Sequence, residues 1–191
     1  MSEKQTEVLV VDDEKDLVDT YEFWLQNHYS VKKAYSGEEA LPKVDEDTDV
    51  VLLDRLMPGM SGREVLEEIR ERGHDCRVCM VTAVDPDFDI IDMGFDKYIV
   101  KPIVKDNLHD AIQELEDRNQ YDEDTRKLFS LISKKTVLEQ RKPNSVLKDH
   151  DEYQELVKET QELQDRIDEF VEDMTTDDFK AMMRDLTASR I

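Results

Sequence analysis

Apolar residues fall along this chain in two rhythms. In the first half, short runs rich in apolar residues recur at Val8 to Val11, Val31 to Ala34, Val50 to Leu53, Val78 to Val81 and Tyr98 to Val100, each bounded by turn-forming residues. Runs this short, with so little polar interruption, predict strands buried on both faces. Between them the period lengthens: Leu17, Tyr21, Trp24 and Leu25 share one helical face, as do Val65, Leu66 and Ile69, and then Leu108, Ile112 and Leu115. Five strands alternating with helices predict a doubly wound (βα)5 domain with a parallel sheet and right-handed crossovers. The fourth crossover is unusual. Thr82 to Lys101 leaves room only for a short helix near Phe88 to Met93.

After about Arg118 the strand signal stops, which divides the chain into an α/β domain over 1–118 and a helical domain over 119–191. Residues 121–141 predict one helix, with Tyr121, Leu128, Leu131, Ile132 and Leu138 as its apolar members. Lys142, Pro143, Asn144 and Ser145 break it. A second helix over about 149–174 carries Tyr153, Leu156, Thr160, Leu163, Ile167, Phe170 and Met174 at alternating spacings of three and four, a heptad seam. Thr125–Lys148 holds seven basic residues and one acidic, whereas Asp149–Asp173 holds eleven acidic and two basic. Opposite charge on consecutive helices predicts an antiparallel hairpin, or coiled coil, with rim charges paired. Two seams per chain equally allow a homodimer through these helices. Thr175 with Asp178, then Phe179, Met182, Met183 and Leu186, predict a short third helix.

Composition sharpens this picture at one point. Among 191 residues, 48 acidic side chains face 26 basic ones, a formal net charge of -22. Repulsion on that scale opposes compaction unless salt screens it, over about 8 Å at physiological strength, so the chain reads as halophilic and general DNA affinity is disfavoured. No stretch approaches the roughly 20 apolar residues that cross a bilayer, and the first residues lack a signal-peptide pattern, so a cytoplasmic protein without membrane contact is expected. Cys76 and Cys79 stand three apart on a predicted strand and point to opposite faces, which argues against a redox pair or half a zinc site.

In a doubly wound sheet, ligands bind beyond the carboxyl ends of the strands. Those positions hold Asp12 and Asp13 after the first run, Asp54 after the third, Thr82 after the fourth, and Lys101 with Pro102 after the fifth. Singly, each is an ordinary turn or surface residue. Together on one rim they supply what phosphoryl transfer to a carboxylate needs: a nucleophile, ligands for a cation, and donors for the phosphoryl oxygens. Three crowded carboxylates call for a divalent ion, and few hard oxygen ligands favour Mg²⁺. Pro58, Gly59 and Gly62 allow a tight loop near that ion before Ser61 caps the next helix.

The segments VLVVDDE, VLLDRLMPGMSG, VTA and YIVKP resemble the receiver domains of two-component response regulators, over about residues 6 to 118. The resemblance implies a flavodoxin-like sheet of order 2-1-3-4-5 and Asp54 as phosphoacceptor. It implies Mg²⁺ on Asp12, Asp13, Asp54 and the Leu56 carbonyl, with Thr82, Ala83 and Lys101 binding the phosphoryl group. It further implies a cis bond between Lys101 and Pro102, a sensor histidine kinase as phosphodonor, and a switch in which Thr82 moves inward and Tyr98 turns into the space it leaves. The last third resembles the helical HalX domain that follows receivers in haloarchaeal regulators. Such a chain is a phosphoacceptor rather than an enzyme: phosphatases that also use an aspartyl phosphate carry an acid where Leu56 stands. The alternative is a DNA-binding transcriptional regulator using the basic helix 125–148, although no basic recognition helix of a known type is visible.

Overall fold

The apolar runs pair as five parallel strands, β1 (Glu7–Val11), β2 (Ser30–Ala34), β3 (Thr48–Leu53), β4 (Arg77–Thr82) and β5 (Lys97–Val100), in the order β2-β1-β3-β4-β5. This computed structural model describes residues 5–118 and 123–173, with side chains over 5–116 and 124–168. The central β1, β3 and β4 are buried almost throughout, which is why they lack alternation. At the edge, β2 is protected by Lys32 and Lys33, whose charges disfavour pairing with another chain.

Helices cover both faces. On one, α1 (Lys15–Leu25) and α4 (Lys105–Arg118) bury Val18, Tyr21, Leu25, Leu108, Ile112 and Leu115 against Val8, Val10, Val50, Leu52, Cys79 and Val81. On the other lie the one-turn α2 (Gly37–Ala40) and α3 (Gly62–Glu71), with Val65, Leu66 and Ile69 on Leu9, Val51, Leu53 and Met80. A capping box starts α3: the Ser61 amide donates to Glu64 Oε2 at 2.8 Å, and the Glu64 amide donates to Ser61 Oγ at 3.3 Å. Such a cap contributes about 1 kcal/mol and fixes where the loop after β3 ends. Cys76 and Cys79 are free thiols packed on opposite faces of the sheet.

The fourth crossover contracts to a three-residue 3-10 helix, Phe88–Ile90. That leaves the β4–β5 flank without a helix of its own. The place is filled from the C-terminal part: α5 (Glu123–Arg141) lies on β5, and Leu128, Leu131, Val137 and Leu138 join one continuous core with Ile90, Met93, Phe95 and Tyr98. After the short α6 (Asn144–Lys148), α7 (Asp151–Asp173) returns along α5. The run is antiparallel, because Lys127 and Asp124 near the start of α5 pair with Glu159 and Arg166, while Glu139 near its end accepts from the Tyr153 hydroxyl at 2.7 Å. Tyr153, Leu156, Thr160 and Leu163 form the buried seam and Ile167 is partly buried on it.

Two expectations are corrected. The basic side chains of the first C-terminal helix do not chiefly pair with the acidic helix that follows. Arg126, Arg141 and Lys142 pair instead with Asp75, Asp85 and Asp87 of the α/β domain, at 3.0, 3.2 and 3.0 Å. The reason is placement: with α5 occupying the empty flank, those carboxylates are nearer than most of α7. Ile132, expected among the apolar seam, is 37% exposed. Tyr121, Phe170, Met174 and the expected helix within 175–191 lie outside the described side chains.

Candidate functional site at the carboxyl rim of the sheet

Strand pairing continues one residue past β1 and β3. The Asp12 amide donates to the Ala34 carbonyl at 3.2 Å and the Asp54 amide to the Val11 carbonyl at 2.9 Å, so both carboxylates spring from rigid backbone. They are nearly sealed, at 3% and 5% exposure. Lys101, whose amide donates to the Thr82 carbonyl at 2.8 Å, reaches back from the end of β5 and divides its ammonium between them. Its Nζ stands 2.5 Å from Asp12 Oδ2 and 3.1 Å from Asp54 Oδ1. The remaining oxygens take backbone donors, Glu14 N to Asp12 Oδ1 at 3.0 Å and Leu56 N to Asp54 Oδ2 at 2.8 Å.

Electrostatics follow from one cation serving two buried acids. Burial holds the Asp12 carboxyl above its ordinary range in spite of the ammonium, and the Asp54 charge adds to the shift. Burial alone would depress Lys101, but Asp12 and Asp54 outweigh it and hold the ammonium above its usual range. The pocket is thus short of positive charge.

Asp13 is exposed beside this pair, and among the described residues no three His, Cys, Asp or Glu side chains gather around one point. The donors that do converge are hard oxygens, two carboxylates with backbone of Leu56 alongside. A cation that keeps most of its water needs no more than one or two carboxylates, so the residues fit Mg²⁺ rather than a caged Ca²⁺. The peptide bond between Lys101 and Pro102 is cis.

Thr82 is buried at 1% exposure and accepts from the Val84 amide at 3.3 Å, which leaves its hydroxyl proton free to donate; Ala83 beside it is exposed. Tyr98 is already buried here, its hydroxyl donating to the Val84 carbonyl at 2.9 Å. Thr82 and Tyr98 therefore hold the two sides of one residue.

Residues outside the sequence reading also shape the rim. Arg55 follows the β3 aspartate, pairs with Asp89 of the 3-10 turn, lies against Tyr98, and keeps a buried Nη1 without a hydrogen-bond partner. At the opposite, amino end of the sheet, where β4 and β5 begin, Asp96 is buried, receives Arg70 and Arg77 at 3.2 Å each, and accepts the Val78 amide. A lone arginine or aspartate in a polar stretch carries no periodic signal, so neither could be singled out. His109 stacks on Tyr29, accepts His28 edge-on and lies by the Trp24 carbonyl, and His150 stacks on Phe88.

A parallel sheet with two carboxylates and a lysine at its carboxyl rim defines the class, and the comparisons place the chain within it. The chain belongs to the response regulator receiver domain family, whose model matches residues 8–113. A HalX domain follows over residues 117–183. A candidate transcriptional regulator of Haloferax volcanii is 50% identical over 135 residues, covering 70% of this chain. The chain spans only 23% of that relative's length. Among solved structures, the CheY-like receiver domain protein of Methanospirillum hungatei is 27% identical with a TM-score of 0.56, over 61% of this chain and 98% of that one. TrrA of Thermotoga maritima, solved in complex with Mg²⁺ and BeF, is 34% identical with a TM-score of 0.51, over 58% and 98%. Among the described residues, no helix is long and apolar enough to cross a membrane.

Proposed function

We propose that this chain is the response regulator of a two-component phosphorelay, taking a phosphoryl group onto Asp54 from a sensor histidine kinase and passing the signal through its C-terminal helices. The observation that carries the reading is Asp54 facing Asp12 across the shared ammonium of Lys101. One Asp54 oxygen bonds to phosphorus as the donor's phosphorus–nitrogen bond breaks, and the kinase histidine, protonated on its other ring nitrogen, takes the bonding pair and leaves as neutral imidazole. Asp12, Asp13, Asp54 and the Leu56 carbonyl would hold Mg²⁺, which supplies charge neutralisation for the phosphoryl oxygens. Lys101 turns from the carboxylate to the phosphoryl group, and Thr82, with its amide partner kept, donates its free proton to a second oxygen. The chain assists its own phosphorylation and dephosphorylation and turns over no other substrate.

Hydrolysis should be slow. Leu56 and Val84 stand two residues after Asp54 and Thr82, and neither side chain can orient a water. Intact mass followed after adding acetyl phosphate and Mg²⁺, and then after removing the donor into Mg²⁺ buffer with no phosphatase present, should show one phosphoryl group gained and a decay over minutes or longer. No gain, or decay within seconds, would count against the reading.

The name of the Haloferax volcanii relative favours a second reading, a regulator that contacts DNA through its basic helix. As seated here, Arg126 and Arg141 of α5 and Lys142 just after it are engaged with carboxylates of the receiver, so that reading requires α5 to leave its place.

A further inference from the structure

At the amino end of the sheet, opposite the carboxyl rim, the first turns of α5 lie beside the starts of β4 and β5 and leave a cleft of 670 Å³. Its charged lining is Arg70 and Arg77 from the receiver, Arg126 and Lys127 from α5, and the carboxylates of Asp75 and Asp96. In a chain with 48 acidic and 26 basic residues, four cations facing two acids reverse the general balance. Lys127 is matched on its outer side by Glu159 of α7 at 2.6 Å. Three guanidiniums then share two carboxylates.

The two acids differ. Asp96 is buried and fixed, with Arg70 and Arg77 at 3.2 Å each and the Val78 amide at 2.8 Å. The Asp75 side chain is 84% exposed, yet Arg126 stands 3.0 Å and Arg77 3.8 Å from its oxygens. The Arg126 hydrogen bond, with the charges of Arg126, Arg77 and Arg70 behind it, holds the Asp75 carboxyl below its ordinary range. Asp45 and Asp49, on the far side of Asp75, are engaged with Lys32 and the Glu7 amide. Among the described residues, Arg126 makes its hydrogen bond to Asp75 through Nη1, which leaves Nε and Nη2 to donate elsewhere.

An exposed carboxylate held by guanidiniums marks a place that an external anion can take, because carboxylate and phosphate present their oxygens to the planar fork alike. Asp75 swings to solvent at small cost, since exposed ion pairs contribute little. Arg77, its side chain 8% exposed, is weakly screened by salt, and a cleft of this size between two domains holds a molecule as large as a mononucleotide.

We propose that this cleft binds a small phosphate-bearing molecule between the receiver and the start of α5, its phosphate replacing the Asp75 carboxylate on Arg126 and Arg77. Arg70 supplies standing charge, its own donors being spent on the carbonyls of Gly94, His74 and Cys76 and on Asp96. Lys127 meets an outer oxygen. The site lies at the other end of the sheet from Asp54 and is independent of phosphorylation there. Because its cations come from both parts of the chain, the bound molecule joins them and stabilises the folded chain by mass action.

The test is titration of the full chain with AMP and with inorganic phosphate, without divalent ions and at constant ionic strength, read by calorimetry and phosphorus NMR. Saturable binding with a dissociation constant below about 1 mM is expected. Tighter binding of AMP identifies an ester as the ligand and equal binding the free ion; either bears the proposal out. Arg126→Gln should weaken binding about tenfold or more, and Lys127→Gln by less. Asp75→Asn should tighten it about threefold or more, because the competing carboxylate is gone. Asp106→Asn, the same change of charge at an exposed position of α4, should leave it unaltered. The tightening separates a ligand site from an ion-pair network that only holds α5, in which loss of Asp75 improves nothing. No saturable binding of either probe overturns the proposal. So does binding that Arg126→Gln and Lys127→Gln both leave intact, or an Asp75→Asn chain that binds no more tightly than Asp106→Asn.

Discussion

An Asp54→Asn chain is expected to gain no phosphoryl group from acetyl phosphate, at any Mg²⁺ concentration. The Asp54 carboxylate stands between Lys101 and the backbone of Leu56, one oxygen on each. Asparagine keeps the shape, but its amide nitrogen has no free electron pair to attack with, and only one of its two terminal atoms can accept a hydrogen bond. Leu56 N or Lys101 therefore loses a partner, while the crowding of two acids is relieved. These opposing changes should leave folding stability within about 1 kcal/mol of the original. The loss of phosphorylation is then a loss of chemistry and not of structure. Intact mass and urea denaturation on the same preparation separate the two; a phosphoryl group still gained by the variant would refute the assignment of Asp54.

Gly62→Ala is expected to give the largest loss of stability. A methyl group there would stand 2.0 Å from the Asp54 carbonyl oxygen and 3.0 Å from Arg55 Cα. Those are backbone atoms of the strand end that carries Asp54, and the Gly62 amide is tied to the Arg55 carbonyl at 3.0 Å, so neither side can give way. The residue is needed for space, not for its backbone angles. Overpacking against fixed backbone should cost about 3 kcal/mol or more, a large share of the 5–15 kcal/mol typical of a domain, and should blunt phosphorylation as the loop shifts. Gly73 makes the comparison. It has φ of +76° with nothing near a built Cβ, so Gly73→Ala should cost only about 1 kcal/mol of backbone strain. Urea midpoints of the two variants check the difference; near-equal values would show that the contact at Gly62 yields.

The contrast between these glycines also marks where the chain is readable. Strands such as Val50 to Leu53 are visible as apolar runs because both their faces are buried, and buried strands in alternation with helices leave few possible topologies. The rim followed from the ends of those strands, so Asp12, Asp54, Thr82 and Lys101 were legible without any contact being known. Asp13, expected in the same set, lies exposed, because consecutive residues at a strand end point apart. The seating of α5 was hidden. Charge matching favoured its neighbour in sequence, α7, whereas the carboxylates that receive Arg126, Arg141 and Lys142 come from residues some 50 positions earlier or more. Lys134 falls in a polar stretch of sequence, yet the Ile91 carbonyl and the Phe95 ring give it a buried place. Tertiary geometry makes that site, and no local pattern announces it.

The shortened crossover links these observations. It removes a helix from the receiver and leaves a flank that the chain's own C-terminal helix covers, so the loop after Thr82 touches both the carboxyl rim and the HalX-matching segment. A second receiver could not use this flank while α5 is seated.

Borohydride reduction of the acetyl phosphate-treated protein, which converts an aspartyl phosphate to homoserine, followed by peptide mapping, tests the central claim most directly. Conversion at Asp54 alone, abolished when Mg²⁺ is chelated, is the predicted result. Conversion at Asp12, Asp13 or any residue away from the rim, or at Asp54 irrespective of divalent ion, would contradict it.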